Sequence, residues 1–269
     1  MKIVSISAAM VILVSSVVAN DVKVPEKNER QPEQTTIDGY NSTPLQPAPD
    51  DKWHIHDPER TQPPVAEPKY DGNVVPAPEG AILVFDGKSL DKVSNKKWPL
   101  IDGVMVAGKH GAQKSMQSFG DMHLHLEWFV PVGLKGWGQK QGNSGVFLMG
   151  KYEVQVLNCW ANRTYPDGMT GALYGQTPPL VNACKKPGEW QSYDIHFTAP
   201  VFDKDRKMAK PAVVTVYLNN VLVQEEQAYL GASTWKKAPK YVYHPGKQPF
   251  SLQSHGNPVQ YRNIWVLEK

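Results

Sequence analysis

From residue 80 onward, hydrophobic and polar positions alternate with a period of two. In residues 122–128, His123, His125 and Glu127 fall on one face and Leu124, Leu126 and Trp128 on the other, which predicts a half-buried strand. Residues 152–157 repeat the pattern, with Glu153 and Gln155 sharing the polar face. Residues 81–85 are a short apolar run stopped by Asp86-Gly87, a strong turn signal, and residues 144–149 read as a buried run. Further strands are predicted at 193–197, 251–255 and 259–267. Residues 212–223 read as a hairpin turning at Asn219-Asn220, a pair that tolerates left-handed backbone. No segment carries a long apolar period of 3.6. Many short strands without helices predict an all-β fold, two antiparallel sheets packed face to face. A sandwich of this size usually has one wide, curved sheet whose outer face can hold a polar groove. His125, Glu127, Glu153, Gln155, Gln253 and His255 are the side chains such a groove needs.

The first 79 residues break the pattern. Residues 1–19 place Lys2 before an apolar stretch ending in small residues, the layout of a secretory signal peptide cleaved after Ala19. The expectation is an exported protein, periplasmic or extracellular, with no membrane span left after cleavage. Residues 20–79 hold 11 of the 23 prolines. Proline lacks the N–H that ladders and helices need, so this is an extended arm and not a core. Residues 53–58 are too aromatic for a free tether, and Trp53 is expected to dock on the body. Residues 80–269 form the third unit, the sandwich itself.

Composition adds exclusions. The chain has 269 residues, a hydrophobic fraction of 41% and a net charge of +3, so it can bury a core but shows no basic face for nucleic acid. Two cysteines rule out a disulfide-dense scaffold and a four-thiolate zinc site. Export makes a Cys159–Cys184 disulfide the expectation, worth about 3 kcal/mol by chain entropy, with two separate buried thiols as the alternative.

Seven stretches occur in order between about residues 80 and 267: ILVFDGKSL, FGDMHLHLEW, GNSGVFLMGKYEVQVL, GALYGQTPPLVNA, PGEWQSYDIHF, KPAVVTVYLNNVLVQ and LQSHGNPVQYRNIWV. Together they resemble the domain family named for 3-keto-disaccharide hydrolases. WHIHDPERTQPP resembles an extension found in one branch of it. The resemblance implies a concanavalin A-like jelly roll and action on 3-keto-glycosides. A ketone at C3 acidifies the C2 proton. Once a base removes that proton, the oxygen at C1 leaves by β-elimination, and later hydration gives net hydrolysis. This path needs a base, an acid and a group polarising the ketone, not the paired carboxylates of ordinary glycosidases. Laminarinase-like enzymes of this fold carry Glu-x-Asp-x-x-Glu on one strand. Here Glu153-Val154-Gln155 is followed by Leu157 on the same face, which disfavours oxocarbenium-type hydrolysis.

Glu153 is the first candidate for base or acid; as a mere groove carboxylate it would bind sugar hydroxyls or pair with Arg262. His255, in a turn set by Gly256 and Pro258, is the second candidate, since imidazole is the side chain best suited to proton transfer near neutral pH. Glu127 is the third catalytic candidate. The family usually has Asp where this chain has Ser254, which removes a carboxylate that would orient the histidine. His125, Asn143, Gln155, Tyr174, Gln253 and Arg262 are candidate substrate-binding residues, and Trp137, in the glycine-rich loop 133–142, is a candidate stacking platform. His123, His125 and Glu127 also have workable metal spacing, so a divalent cation is possible, though no cofactor is required. The partner expected is a carbohydrate. The rival reading is a lectin-like binding module without turnover, since this fold hosts many such binders.

Overall fold

A computed structural model describes residues 37–269. The expected signal peptide and the arm up to residue 36 lie outside the described residues. The strands are β1 Ile82–Phe85, β2 Leu100–Ile101, β3 Val104–Val106, β4 Gln113–Lys114, β5 Met122–Phe129, β6 Ser144–Leu148, β7 Tyr152–Val156, β8 Trp190–Thr198, β9 Val201–Phe202, β10 Met208–Lys210, β11 Val213–Leu218, β12 Val221–Ala228, β13 Ser251–Leu252 and β14 Gln260–Glu268. The only helical elements among the described residues are two single turns, at Gly138–Lys140 and Pro166–Gly168. No helix there is long and apolar enough to cross a membrane.

The strands form the expected jelly-roll sandwich. The larger sheet runs β12-β11-β8-β5-β14-β3-β2, with β1 sharing the outer side of β14; the smaller runs β4-β13-β6-β7. Every pairing within both sheets is antiparallel. Period-two alternation supplies the core from both layers. Leu124, Leu126 and Trp128 of β5, Tyr193, Ile195 and Phe197 of β8 and Val214, Val216 and Leu218 of β11 meet Val146, Leu148, Val154 and Val156 of the smaller sheet. The β11–β12 hairpin turns at Asn219-Asn220, both at positive φ as that two-residue turn demands.

The alternation leaves each sheet a second, outward face. On β7 that face carries Glu153 and Gln155; on β5 it carries His123, His125 and Glu127. These faces lie on opposite sides of the sandwich, so the single groove expected from sequence is divided in two.

The arm from residue 37 follows the body closely. Residues 44–55 fold back on themselves through the Leu45–His54 bridge, and Val65 pairs with Asn182. Ile55, His56 and Tyr70 are buried, whereas Trp53 is only half-buried and carries Lys52 over its ring. The docking residue is therefore not the expected tryptophan. The hairpin turns Ile55 and His56 inward instead, and they pack behind loop 162–177.

Candidate active site

The outer face of the smaller sheet forms the floor of a pocket of about 750 Å³. Glu153 and Gln155 of β7 and Phe147 of β6 project from the floor, and Gln253 and His255 enter from the chain after β13. The loop before β6 adds Trp137, Gln139, Lys140 and Asn143, and loop 162–177 adds Tyr165 and Tyr174. Seven residues singled out from sequence thus converge: Glu153, His255, Asn143, Gln155, Tyr174, Gln253 and Trp137.

Glu153 is almost completely buried at the base of the pocket. Burial alone pushes its carboxyl well above the ordinary carboxylate range, and among the described residues no hydrogen-bond partner reaches its oxygens. Burial therefore favours the protonated form of this carboxyl. Gly145, paired with Gln155 on the neighbouring strand, makes the room: a Cβ there would collide with Glu153 Oε1. His255 is exposed at the rim, because β13 stops at Leu252 and a turn through Gly256 (φ +85°) takes over. Ser254 donates its hydroxyl to the Gly108 carbonyl and does not orient the histidine.

The amides are organised by one residue that the sequence did not flag. Gln139 Oε1 accepts from Asn143 Nδ2 (3.0 Å) and from Gln155 Nε2 (3.0 Å), so both of these pocket amides spend a donor on it. Gln155 Oε1 and Gln253 Oε1 are left buried with no partner in the protein. A buried acceptor without a donor is costly, so a ligand rich in hydroxyls would relieve both. Tyr165 and Tyr174 share one hydrogen bond of 3.0 Å between their hydroxyls, leaving one phenolic proton to donate elsewhere. Desolvation drives both phenols up, so they stay neutral donors. Trp137 and Trp235, 57% and 60% exposed, offer ring faces at the rim, the form of surface on which a sugar ring stacks.

Three expected site residues are elsewhere. Glu127, His125 and Arg262 lie on the outer face of the larger sheet, under arm residues 70–75. Arg262 Nε donates to Glu127 Oε2 at 2.6 Å, and Asn263 Nδ2 and the Val75 N–H donate to Oε1 at 2.7 and 2.8 Å. Arg262 also donates to the Gly72 carbonyl and lies over the Trp190 ring. A bulge in β14 between Arg262 and Trp265 brings Arg262 and Asn263 to the same carboxylate. Desolvation would raise the pKa of Glu127, but His125, the Val75 N–H, Asn263 and Arg262 outweigh it and hold the carboxyl at about 2. Glu127 is thus a permanently charged anchor sealed from any pocket. Arg262 serves Glu127 and not Glu153.

The metal triplet does not assemble either. His123 Nε2 and His125 Nδ1 both bind Asp194 Oδ1, at 2.8 and 3.0 Å, and Trp265 stacks on the His125 ring. Among the described residues no group of three side chains is arranged to hold a cation. The two cysteines are unbonded, buried thiols and not the expected disulfide. Thr170 donates its N–H and hydroxyl to Cys159 Sγ, and the Cys159 N–H donates to Cys184 Sγ at 3.4 Å. Burial pushes the Cys159 thiol up to about 12, which leaves it unreactive.

Sequence reasoning missed Asp38, Tyr40, Gln139, Tyr165, Ser233, Thr234 and Trp235, all of which line the pocket. None stands in a patterned strand. An available signal was the aromatic density of residues 229–243, which hold Tyr229, Trp235, Tyr241 and Tyr243.

The chain covers 93% of a crystal structure from Parabacteroides distasonis ATCC 8503 described as a "putative glycosyl hydrolase", at 42% identity and a TM-score of 0.71 over 78% of this chain. A second structure from the same organism with the same description matches at 22% identity and a TM-score of 0.53, over 70% of this chain and 99% of that one, and supports the fold alone. No curated protein matches the chain. The model of the 3-keto-alpha-glucoside-1,2-lyase-like domain matches residues 80–267, the whole sandwich with both sheets and the pocket floor, and the chain belongs to that family.

Proposed function

We propose that the protein is a carbohydrate-active enzyme that cleaves the glycosidic bond of 3-keto-glycosides in the pocket on the smaller sheet. The observation carrying this reading is the meeting of a buried Glu153, whose carboxyl desolvation pushes up, with His255 and a hydrogen-bonded phenol pair in one cavity lined by unpaired amide acceptors. Family membership supports the substrate class, and the relative at 42% identity supports glycosidic chemistry.

The roles follow from protonation. A carboxyl that burial makes hold its proton more tightly than usual is suited to act as general acid, so Glu153 gives its proton to the oxygen leaving C1. His255, reachable from solvent, takes the C2 proton. The electron pair from that C–H bond forms the C2–C3 enolate and then the C1–C2 double bond as the C1–O bond breaks. The free phenolic proton of the Tyr165–Tyr174 pair bonds the C3 oxygen while it carries negative charge. Water then adds across the double bond, hydroxyl to C1 and proton to C2, which gives the hydrolysed 3-keto sugar. Gln155, Gln253 and Asn143 hold hydroxyls, and Trp137 stacks on a ring.

Incubation with a 3-keto-disaccharide should release free sugar or the enone, while the unoxidised disaccharide stays intact. No product from the keto substrate overturns the reading. Tight binding of unmodified glycan without turnover replaces it with a lectin-like module, for which Trp137 and Trp235 already offer exposed platforms. His255→Ala should lower turnover by about 10²-fold. Export belongs to the same proposal, and amino-terminal sequencing of the protein from its native host should begin at Asn20.

A further inference from the structure

Two residues of the pocket wall come from outside the family domain. The family match starts at residue 80, yet Asp38 and Tyr40 of the arm line the same cavity as Glu153. We propose that the arm is part of the binding site, and that Asp38 is a substrate-contacting residue that accepts hydrogen bonds from hydroxyl groups of the bound sugar. This rests on the reading of the pocket as a carbohydrate site and adds a residue to it.

The arm is held well enough to place a side chain. The Tyr40 N–H donates to the His56 carbonyl at 2.8 Å, which ties the segment carrying Asp38 to the buried part of the arm. Asp167, in the single turn of loop 162–177, accepts from the His56 N–H at 2.9 Å and from Gln46 Nε2 at 3.1 Å. The His56 ring then packs 4.4 Å from Tyr165 and 4.9 Å from Tyr174, centroid to centroid, directly behind the two phenols of the pocket. Arm and site loop are one packed unit.

Asp38 is itself half-tied. Its Oδ2 accepts the Gln139 N–H at 2.8 Å, and Gln139 is the residue whose side chain gathers Asn143 and Gln155. Its Oδ1 is buried with no partner in the protein, like the Oε1 atoms of Gln155 and Gln253. A carboxylate with one oxygen pinned has a fixed direction for the other, which pre-organises it to accept from a ligand donor. Gly138 is required for this approach: it sits at φ +57°, and a Cβ on it would collide with the Asp38 carboxylate. Beyond Asp38, Tyr40 meets the Trp235 ring edge-on at 6.2 Å. Lys236 lies over both rings, so the arm also braces one of the two exposed tryptophans.

The ligand class is a polyol with neighbouring hydroxyls. Three unpaired acceptors call for donors, and the nearby ring faces call for a flat C–H surface, a pairing that sugars satisfy.

The test uses the full chain carrying Glu153→Gln, so that keto-disaccharide binds without being consumed. Calorimetry compares it with the same protein carrying Asp38→Asn, which keeps the shape and an acceptor for the Gln139 N–H. The expected result is an affinity at least tenfold weaker with an unchanged Tm. A set of monodeoxy disaccharides then locates the contact: one analogue should lose no further affinity on Asp38→Asn, because it lacks the hydroxyl that Asp38 holds. Asp38→Ser provides the same comparison should the asparagine variant fold poorly. Equal affinity with and without the substitution overturns the inference and leaves the pocket reading intact. An equal loss for every analogue also overturns it, since Asp38 would then act only through the loop. If the Glu153→Gln protein binds no sugar, the pocket reading falls and this inference with it.

Discussion

Two glutamates, Glu127 and Glu153, sit on strands of opposing sheets, and both are almost completely buried. Burial strips most water from each, yet their carboxyls are driven in opposite directions. Glu127 has a guanidinium, a side-chain amide and a backbone N–H within 2.8 Å and is held at about 2. Glu153 has no such company, and desolvation lifts it well above its ordinary value. Burial by itself therefore does not mark a reactive carboxyl. A carboxyl with every lone pair engaged is an anchor, whereas one left bare over an open cavity retains a proton it can give away.

The largest contrast should appear on replacing each in turn. Glu153→Gln should lower cleavage of a 3-keto-disaccharide by about 10²–10⁴-fold, read as initial rate. The same change should raise Tm at neutral pH, because a neutral amide removes the cost that desolvation places on ionising a buried carboxyl. Glu127→Ala should do the reverse. It strands Arg262, Asn263 and the Val75 N–H, costing about 3–5 kcal/mol in denaturant melts, while the molecules still folded keep their turnover. A drop in Tm from Glu153→Gln would erase the distinction.

Acid should separate the two more gently. The unfolded Glu127 carboxyl binds a proton near 4.5, the folded one only near 2, so its stabilisation is complete above about 4.5 and is lost as pH falls towards 2. For Glu153 the sign is opposite. The folded carboxyl keeps a proton that the unfolded one loses above 4.5, so its contribution to stability declines as pH rises from there. The protection factor of the Val75 amide, its exchange rate relative to the unfolded chain at the same pH, should therefore fall below pH 4.5 in the wild type, and Glu127→Gln should flatten that response. The smallest effect expected is from Tyr174→Phe. It removes one of two phenols while leaving Tyr165, and should cost about tenfold in turnover with little change in Tm.

The strands were legible because alternation is a local property. A residue two positions on must return to the same face, and β5, β7, β8 and the Asn219-Asn220 hairpin all follow from that. What covers a polar face is not local. The row His123, His125, Glu127 looks from sequence like Glu153 and Gln155, a polar edge on an apolar strand. The first ends at Glu127 beneath residues 70–75, with Trp265 stacked on His125, and the other opens to a cavity. Asp38 was invisible for the same reason, since it sits in proline-rich chain with no periodicity and gains its meaning from Gly138 and Gln139 a hundred residues on. His255 and Trp137 could be read because glycine-rich turns mark loops on their own.

The arm engages both outer surfaces of the molecule, beside Glu153 at Asp38 and over Glu127 at Gly72 and Val75. The stretch that homology delimits and the stretch that is self-sufficient are thus not the same length. A version trimmed to residues 80–267 would bare an ion pair on one flank and lose a wall of the cavity on the other. Weak or missing activity in such a fragment would measure the missing belt, not the worth of the sandwich.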